Sequence, residues 1–335
     1  MLLIILNVIA SNIFLCYYIG DLRGIMKEYN LEKIRDLRYG ENPHQKASLF
    51  KGSEMVDYEV LFGQELSYDN ILNIYELSRV LGEFYDVNAV GIIKHQTGCG
   101  IALGRTTEEA YNKAFDCDPV SAFYGTIGFT RSLDYDTAKH INSMGVRALI
   151  APDFHPKALE LLSENPSIKL VKVNTPLNDI RKMGLDEITV TPFGILIQEK
   201  NLSELNKDSF RVVTKVKPTT EQVEDAIFAW KVVKHARSDA AVVAKDFATL
   251  GISQSETSCA SAIEEALKFA CDGAKDAILA TDGIIYSHDA IYAAAQARIG
   301  LIIQPGGSPK DRELIGLADK YGISMIMTGI RNQRH

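Results

Sequence analysis

Short apolar runs alternate with amphipathic stretches along most of the chain. Ala89, Val90, Ile92 and Ile93 form one such run, which reads as a buried strand. It closes on Lys94 and His95 and then a glycine-rich turn, Gly98-Cys99-Gly100. A helix follows, with Thr106-x-x-Glu109 as its capping box. Upstream, Ile71, Ile74, Leu77 and Val80 fall on one face of a predicted helix. Downstream, a predicted helix over 108–115 ends at Cys117-Asp118-Pro119. Predicted strands over 126–130, 147–151 and 168–173 then alternate with predicted helices over 135–144 and 155–163.

A polar stretch over 201–217 closes at Pro218 and predicts a boundary. Beyond it the alternation repeats. Thr219-x-x-Gln222 caps a helix whose buried stripe is Val223, Ile227, Trp230 and Val233. That phase puts Trp230 in the core. Strands are predicted over 240–244, 277–280, 301–304 and 324–328, with helices over 262–270, 289–297 and 309–321 between them. For the last helix, Ser308 reads as N-cap, Pro309 as N1 and Gly322 as C′. Two similar α/β layers in tandem, each with a largely parallel sheet and right-handed crossovers, are the expected architecture. The predicted segments are an extension over 1–26, a first lobe over 27–205 and a second over 206–335.

Composition narrows the function. The 335 residues carry a net charge of −7, which argues against a polyanionic partner. The five cysteines include no C-x-x-C pair and suggest a reducing, cytoplasmic setting. Residues 1–18 are largely apolar, yet short for a membrane span and without a positive n-region. A membrane anchor, a cryptic signal and upstream sequence from a misassigned start compete; the last, with Met26 as the start, is the reading adopted. The motifs of zinc nucleobase deaminases, Walker A and Rossmann sites and α/β-hydrolases are absent. Basic–aromatic interleaving for nucleic acid is absent too.

Lys94 and His95 stand at a strand end, where α/β sheets commonly hold ligands. A cation beside an imidazole can donate and accept a proton. A solvated lysine and a histidine in a satisfied turn is the plainer alternative. Arg38, in Arg38-Tyr39-Gly40-Glu41-Asn42-Pro43-His44-Gln45, could grip an anion bidentately, or simply lie in a surface loop. Gln304-Pro305-Gly306-Gly307-Ser308 could bind an anion at a helix start, or be an ordinary turn.

Several stretches together resemble one family. They are the Leu37–Gln45 run, Glu65-Leu66-Ser67-Tyr68, Lys94-His95, Asp118-Pro119-x-Ser121-Ala122-Phe123 and Ile150-Ala151-Pro152. To these add residues 228–235, Gln304–Ser308 and the terminal Gly329-Ile330-Arg331-x-x-Arg334-His335. The family is the AICAR formyltransferase of purine biosynthesis, usually fused to an IMP cyclohydrolase domain. The resemblance runs from about Leu31 to His335. Too few residues precede it for a cyclohydrolase, so a stand-alone, divergent transformylase is expected.

The resemblance implies two tandem cytidine-deaminase-like three-layer α/β domains without a metal, and a homodimer with composite sites at the interface. Composition and patterning predict no membrane or nucleic-acid partner. The resemblance implies AICAR as substrate and 10-formyltetrahydrofolate as co-substrate. Carried over residue by residue, Arg38 and Arg331 would hold the phosphate, with Tyr39, Gly40, Asn42 and His44 beside the substrate. His95 would take the proton of the attacking amine, and Lys94 would stabilise the oxyanion or protonate the leaving nitrogen. Val120, Phe123 and Ile252 would line the folate side.

Departures cluster in the chemistry. Gln96-Thr97-Gly98 replaces the family's x-Asn-Pro, and Asp239 replaces a catalytic Asn. Arg147 stands where the family has an acid, and residues 251–259 and 281–287 lose its usual glycine-rich and aromatic runs. Transfer from another formyl carrier, or a non-catalytic ribonucleotide-binding relative, are the alternatives these departures keep open.

Overall fold

The computed structural model describes residues 32–52, 54–183, 186–205 and 208–335. The apolar amino-terminal stretch and the expected start at Met26 lie outside the described residues. Two compact units are present. One comprises the described residues up to Asp57, Ser67–Asp69 and Lys182–Leu202; the other comprises Tyr58–Leu66, Asn70–Arg181 and Ser203–His335.

The chain enters the first unit with an antiparallel hairpin, β1 (Lys33–Leu37) and β2 (Ala47–Phe50). It then builds half of the second unit from β3 (Tyr58–Phe62), α1 (Tyr68–Leu81), β4 (Ala89–Lys94), β5 (Thr97–Leu103), α2 (Thr107–Cys117) and α3 (Pro119–Ala122). β6 (Thr126–Phe129), α4 (Tyr135–Asn142), β7 (Ala148–Ala151), α5 (Pro156–Leu162), β8 (Lys169–Val173) and α6 (Leu177–Lys182) complete that half. The chain returns to the first unit for the hairpin β9 (Asp186–Thr191) and β10 (Gly194–Glu199). The other half of the second unit follows. It consists of β11 (Arg211–Val212), α7 (Thr220–Val233), β12 (Ala241–Lys245), β13 (Ala248–Ser253), α8 (Cys259–Ala270), β14 (Ile278–Thr281), α9 (His288–Gln296), β15 (Leu301–Gln304), α10 (Asp311–Tyr321) and β16 (Ser324–Met327).

Among the described residues the second unit holds one 12-stranded sheet, ordered β11-β16-β15-β14-β12-β13-β5-β4-β6-β7-β8-β3. Read outward from the central β13–β5 pair, the two halves have the same strand order and the same pairing directions. The expected largely parallel sheet is corrected here: the sheet is mixed. Parallel pairing is confined to β6–β7–β8 and β14–β15–β16, and every other neighbouring pair is antiparallel. The cause is local. Lys94 pairs with Thr97, so the chain reverses in two residues and comes straight back as β5 instead of passing to a helix. Lys245 pairs with Ala248 and reverses β12 into β13 in the same way.

Period-two alternation sorts the side chains to two faces. Val90, Ile92, Ile127 and Phe129 meet Tyr111 and Ala114 of α2, Ile141 of α4 and Leu162 of α5. In the other half Ala241, Val243, Leu279 and Ile302 meet Ala266 of α8, Ile291 of α9 and Leu314 of α10. On the opposite face α1 lies close, because Gly91 and Gly128 leave room for Leu77. Trp230 is buried in the core, as its helical phase predicts. The face of α1 is rotated from the expected stripe: Asn73 and Glu76 are buried beside Leu77 and Val80. The start of α10 also differs. It begins at Asp311, and Gly322 ends it at φ 72°. No helix among the described residues is long and apolar enough to cross a membrane.

Each half places a helix backbone against a strand glycine. A Cβ on Gly100 would sit 1.8 Å from the Ala114 carbonyl oxygen, and one on Gly251 2.2 Å from that of Ala266. Overpacking costs about 1–3 kcal/mol where side chains can adjust. Here the obstacle is backbone, so Gly100→Ala is expected to cost about 3 kcal/mol or more. A lowered urea midpoint at unchanged slope is the expected readout; an unchanged midpoint would contradict the close approach of α2.

Candidate active site

Lys94 ends β4 and is half-buried. His95 and Gln96 make the two-residue turn, with φ of 53° and 63°. Positive φ at both positions is the geometry that matches the twist of a tight hairpin. Neither is glycine, so the turn carries strain of the kind found at functional sites. Asn73 helps to hold it: the Gln96 N–H donates to Asn73 Oδ1 at 2.7 Å. From the other half, Arg237 Nη2 donates to Gln96 Oε1 at 3.3 Å. A cavity of about 30 Å³ beneath the turn is bordered by Glu76, Gln96, Gly98, His235, Ile252 and Gln254. It is too small for a nucleotide, so it belongs to the support of the turn. The imidazole of His95, by contrast, is exposed.

Strand direction decides what shares this edge. β4 runs opposite to β6, β7 and β8, so Lys94 lies at their amino-terminal ends. Through β5, β13 and β12 the same edge carries the carboxyl ends of β14, β15 and β16. Asp239 and Asp282 therefore stand on the Lys94 edge. Ser238 Oγ donates to Asp282 Oδ2 at 2.5 Å, and the Ala240 N–H to Asp282 Oδ1 at 2.8 Å. Burial pushes the Asp282 carboxyl above its ordinary range; hydrogen bonds from Ser238 and Ala240 oppose this, and the neighbouring Asp239 adds to it.

The carboxyl-terminal tail lies across the same strand ends. Gly329 N–H donates to the Pro305 carbonyl at 2.8 Å, and Asn332 N–H to that of Asp282 at 2.9 Å. Arg334 then grips Glu76 at 2.7 and 2.5 Å and the His235 carbonyl at 3.1 Å. Arg331 is exposed between the first two anchors. Within one chain, three strand spacings, about 14 Å, separate the strand of Lys94 from that of Asp239. The edge is shared; direct contact between the two is not made.

Val120 lies in the short helix α3 and Phe123 directly follows it; the N-cap of that helix, Asp118, accepts from the Ser121 N–H at 2.9 Å. Val120 is 83% exposed and Phe123 42%. The turn after them abuts β4, since a Cβ on Gly125 would lie 3.2 Å from the Ile93 carbonyl. Ile252 reaches the start of β5 at Gly98. Arg147 leads into β7, its guanidinium 5.3 Å from the Tyr124 ring centre. Burial and Arg147 together lower Lys169 from its ordinary pKa. Cys99 is no nucleophile: burial, with Asp118 and Cys117, pushes its thiol up to about 12.

Arg38, Tyr39, Gly40, Asn42 and His44 belong to the first unit, in the loop joining β1 to β2. Arg38 and His44 are exposed, and Arg38 lies 5.6 Å from the Tyr39 ring centre. Asn42 braces the loop, its N–H and Nδ2 donating to Gln45 Oε1 at 2.9 and 2.8 Å. The Gln304–Ser308 loop is no open anion site. The Gly307 and Ser308 N–H groups donate to Asp311 at 2.7 and 3.1 Å. The same carboxylate moves the helix start from Pro309 to Asp311. Among the described residues no group of three or more His, Cys, Asp or Glu side chains could hold a metal ion.

The AICARFT/IMPCHase bienzyme family profile matches residues 13–268. The chain belongs to the AICARFT/IMPCHase bienzyme family. The bifunctional purine biosynthesis protein PurH of Caldicellulosiruptor saccharolyticus is 43% identical over 312 residues, 91% of this chain and 60% of that protein. PurH of Acetivibrio thermocellus is 40% identical over 309 residues, with coverage of 91% and 60%. PurH of Brachyspira hyodysenteriae is 41% identical over 308 residues, with coverage of 90% and 58%. The chain thus spans about 60% of the length of the PurH relatives it matches. Acinetobacter baumannii RibD, form 2, overlays 31% of this chain and 33% of its own at 15% identity, with a TM-score of 0.24, too low to bear on the fold. For this member of the AICARFT/IMPCHase family, sequence reasoning missed Asn73, Glu76 and Arg237, whose partners are distant in the chain. Asp282 had a readable signal, an acid directly after an apolar strand.

Proposed function

We propose that this chain transfers a formyl group from 10-formyltetrahydrofolate to the 5-amino group of AICAR, giving FAICAR and tetrahydrofolate. The observation that carries the reading is the strained His95-Gln96 turn, which presents Lys94 and His95 on the edge shared with Asp239 and Arg331. In the proposed step the amine nitrogen bonds to the formyl carbon while the carbon's bond to the carrier nitrogen breaks. His95 accepts the proton lost by the amine. Lys94 stabilises the oxyanion or protonates the leaving nitrogen. Arg38 and Arg331 hold the phosphate, with Tyr39, Gly40 and His44 beside it; Val120, Phe123 and Ile252 flank the folate.

The lateral separation of Lys94 from Asp239 supports a homodimer in which one subunit's turn meets the other's tail. The duplicated strand order supports two tandem cytidine-deaminase-like lobes, with 27–205 and 206–335 as their extents. A cytoplasmic setting belongs to the same reading. A second reading, transfer from a different carrier, is favoured by Arg147, which adds a cation beside Tyr124. Purified protein with AICAR and 10-formyltetrahydrofolate, followed by tetrahydrofolate release, tests the proposal. Turnover supports it. Turnover with another formyl donor alone favours the second reading, and tight AICAR binding without turnover from any donor refutes both.

A further inference from the structure

The sheet has a second edge, and the duplication makes it the counterpart of the first. Ala240 and Asp282 exchange hydrogen bonds: the Ala240 N–H donates to the carboxylate at 2.8 Å, and the Asp282 N–H to the Ala240 carbonyl at 3.3 Å. Ala89 and Thr130 do the same in the first half, at 2.8 and 3.1 Å. Thr130 is therefore the counterpart of Asp282, and Asn88 that of Asp239. The Lys94–His95–Gln96 turn corresponds to Lys245–Asp246–Phe247, where Asp246 and Phe247 have φ of 52° and 56°.

The two edges differ in what covers them. In the second half the tail runs back over the ends of β15, β14 and β12. In the first half the chain after β8 turns away through Thr175 and Pro176 into α6. A pocket of about 280 Å³ remains at the ends of β6, β7 and β8. Phe129, Ile150 and Ala151 border it, with Tyr85, Pro152 and Asn174 among its other lining residues. Tyr85 is 49% exposed. The Thr130 hydroxyl is committed, accepting from Ala89 and donating to the Val87 carbonyl at 2.7 Å.

We infer that this pocket binds a small uncharged heteroaromatic ring of nucleobase size, on the sheet edge opposite Lys94. Ligand pockets run from about 300 to 1,000 Å³, so this one suits a ring and not an extended molecule. Its walls are apolar, and Tyr85 offers an aromatic face for stacking. Asn174 offers both a donor and acceptors to the polar edge of a ring amide. None of the lining residues is charged. A phosphate or carboxylate buried inside it would be desolvated without a partner.

Saturation-transfer NMR with hypoxanthine as the probe tests this, together with a crystal soaked in it. Hypoxanthine should bind the wild-type protein and should bind at least tenfold more weakly to Tyr85→Ala and Asn174→Ala. Both positions are on the surface, which spares the core. Binding should be unchanged in Lys94→Ala and in the presence of saturating AICAR. Absence of transfer, equal transfer in both pocket variants, displacement by AICAR, or density for the probe elsewhere would overturn the inference. None of these outcomes depends on whether the chain transfers formyl groups.

Discussion

Lys94→Ala is expected to lower the proposed formyl transfer to AICAR by about 10²–10⁴-fold, the range for removal of a positioned proton-transfer group. The loss is expected to fall on kcat more than on KM, because in the proposed step the group acts where charge develops. His95 needs a more careful substitution. Its φ of 53° lies in the left-handed region, where alanine would disturb the turn as well as remove the imidazole. Asparagine tolerates that region, so His95→Asn keeps the turn while deleting the proposed base. A comparable loss of kcat with an unchanged melting curve is expected. Full activity in either variant, measured by tetrahydrofolate release, would remove that residue from the proposed chemistry.

The strands were legible because buried strands are nearly pure apolar runs, as at Thr126–Phe129, Ala148–Ala151 and Leu301–Gln304. Direction was not. β5 opens Thr97-Gly98-Cys99-Gly100, which reads as a turn. Yet Gly100 is there because the backbone of α2 touches the strand. β13, with Thr249, Gly251 and Ser253, hides behind the same kind of polarity. Losing these two return strands turned a mixed sheet into an apparently parallel one. Lys94 and His95 stood out because a strand ended on them. Their support was invisible: Gln96 and Asn73 are 23 positions apart, Arg334 and Glu76 258, and no local period links them. The buried asparagine and glutamate of α1 broke the apolar stripe for the same reason.

A buried ion cluster joins the two halves of the sheet unit, and its removal is the largest stability effect expected. Glu83 has a side chain only 3% exposed, and its Oε1 meets Lys234 Nζ at 2.9 Å, Arg181 Nη1 at 3.1 Å and His235 Nε2 at 3.1 Å. Burial alone would raise its pKa. The hydrogen bonds and charges of His235 and Lys234 outweigh that and hold the carboxyl well below the usual range. Glu83→Gln leaves buried cations without their anion, a change that costs about 3–5 kcal/mol. Two pH effects follow. Glu83's contribution is present above its unfolded value of 4.5 and is lost as pH falls through its lower folded pKa. His235 is lowered by burial, so the unfolded chain takes up its proton more readily than the fold, and acidification below 6.5 costs stability. Without Glu83 the second effect persists, because burial causes it. Lys234 is also lowered by burial, and Glu83 is the main group pulling it back up. In Glu83→Gln its pKa falls further, which widens the range below 10.5 over which the unfolded chain binds more protons than the fold. Stability of the variant then rises with pH more steeply than that of wild type, and its deficit narrows as pH rises from neutrality toward 10.5. Urea melts of both proteins across that range measure it. A constant deficit would mean that Lys234 does not depend on Glu83 to remain charged.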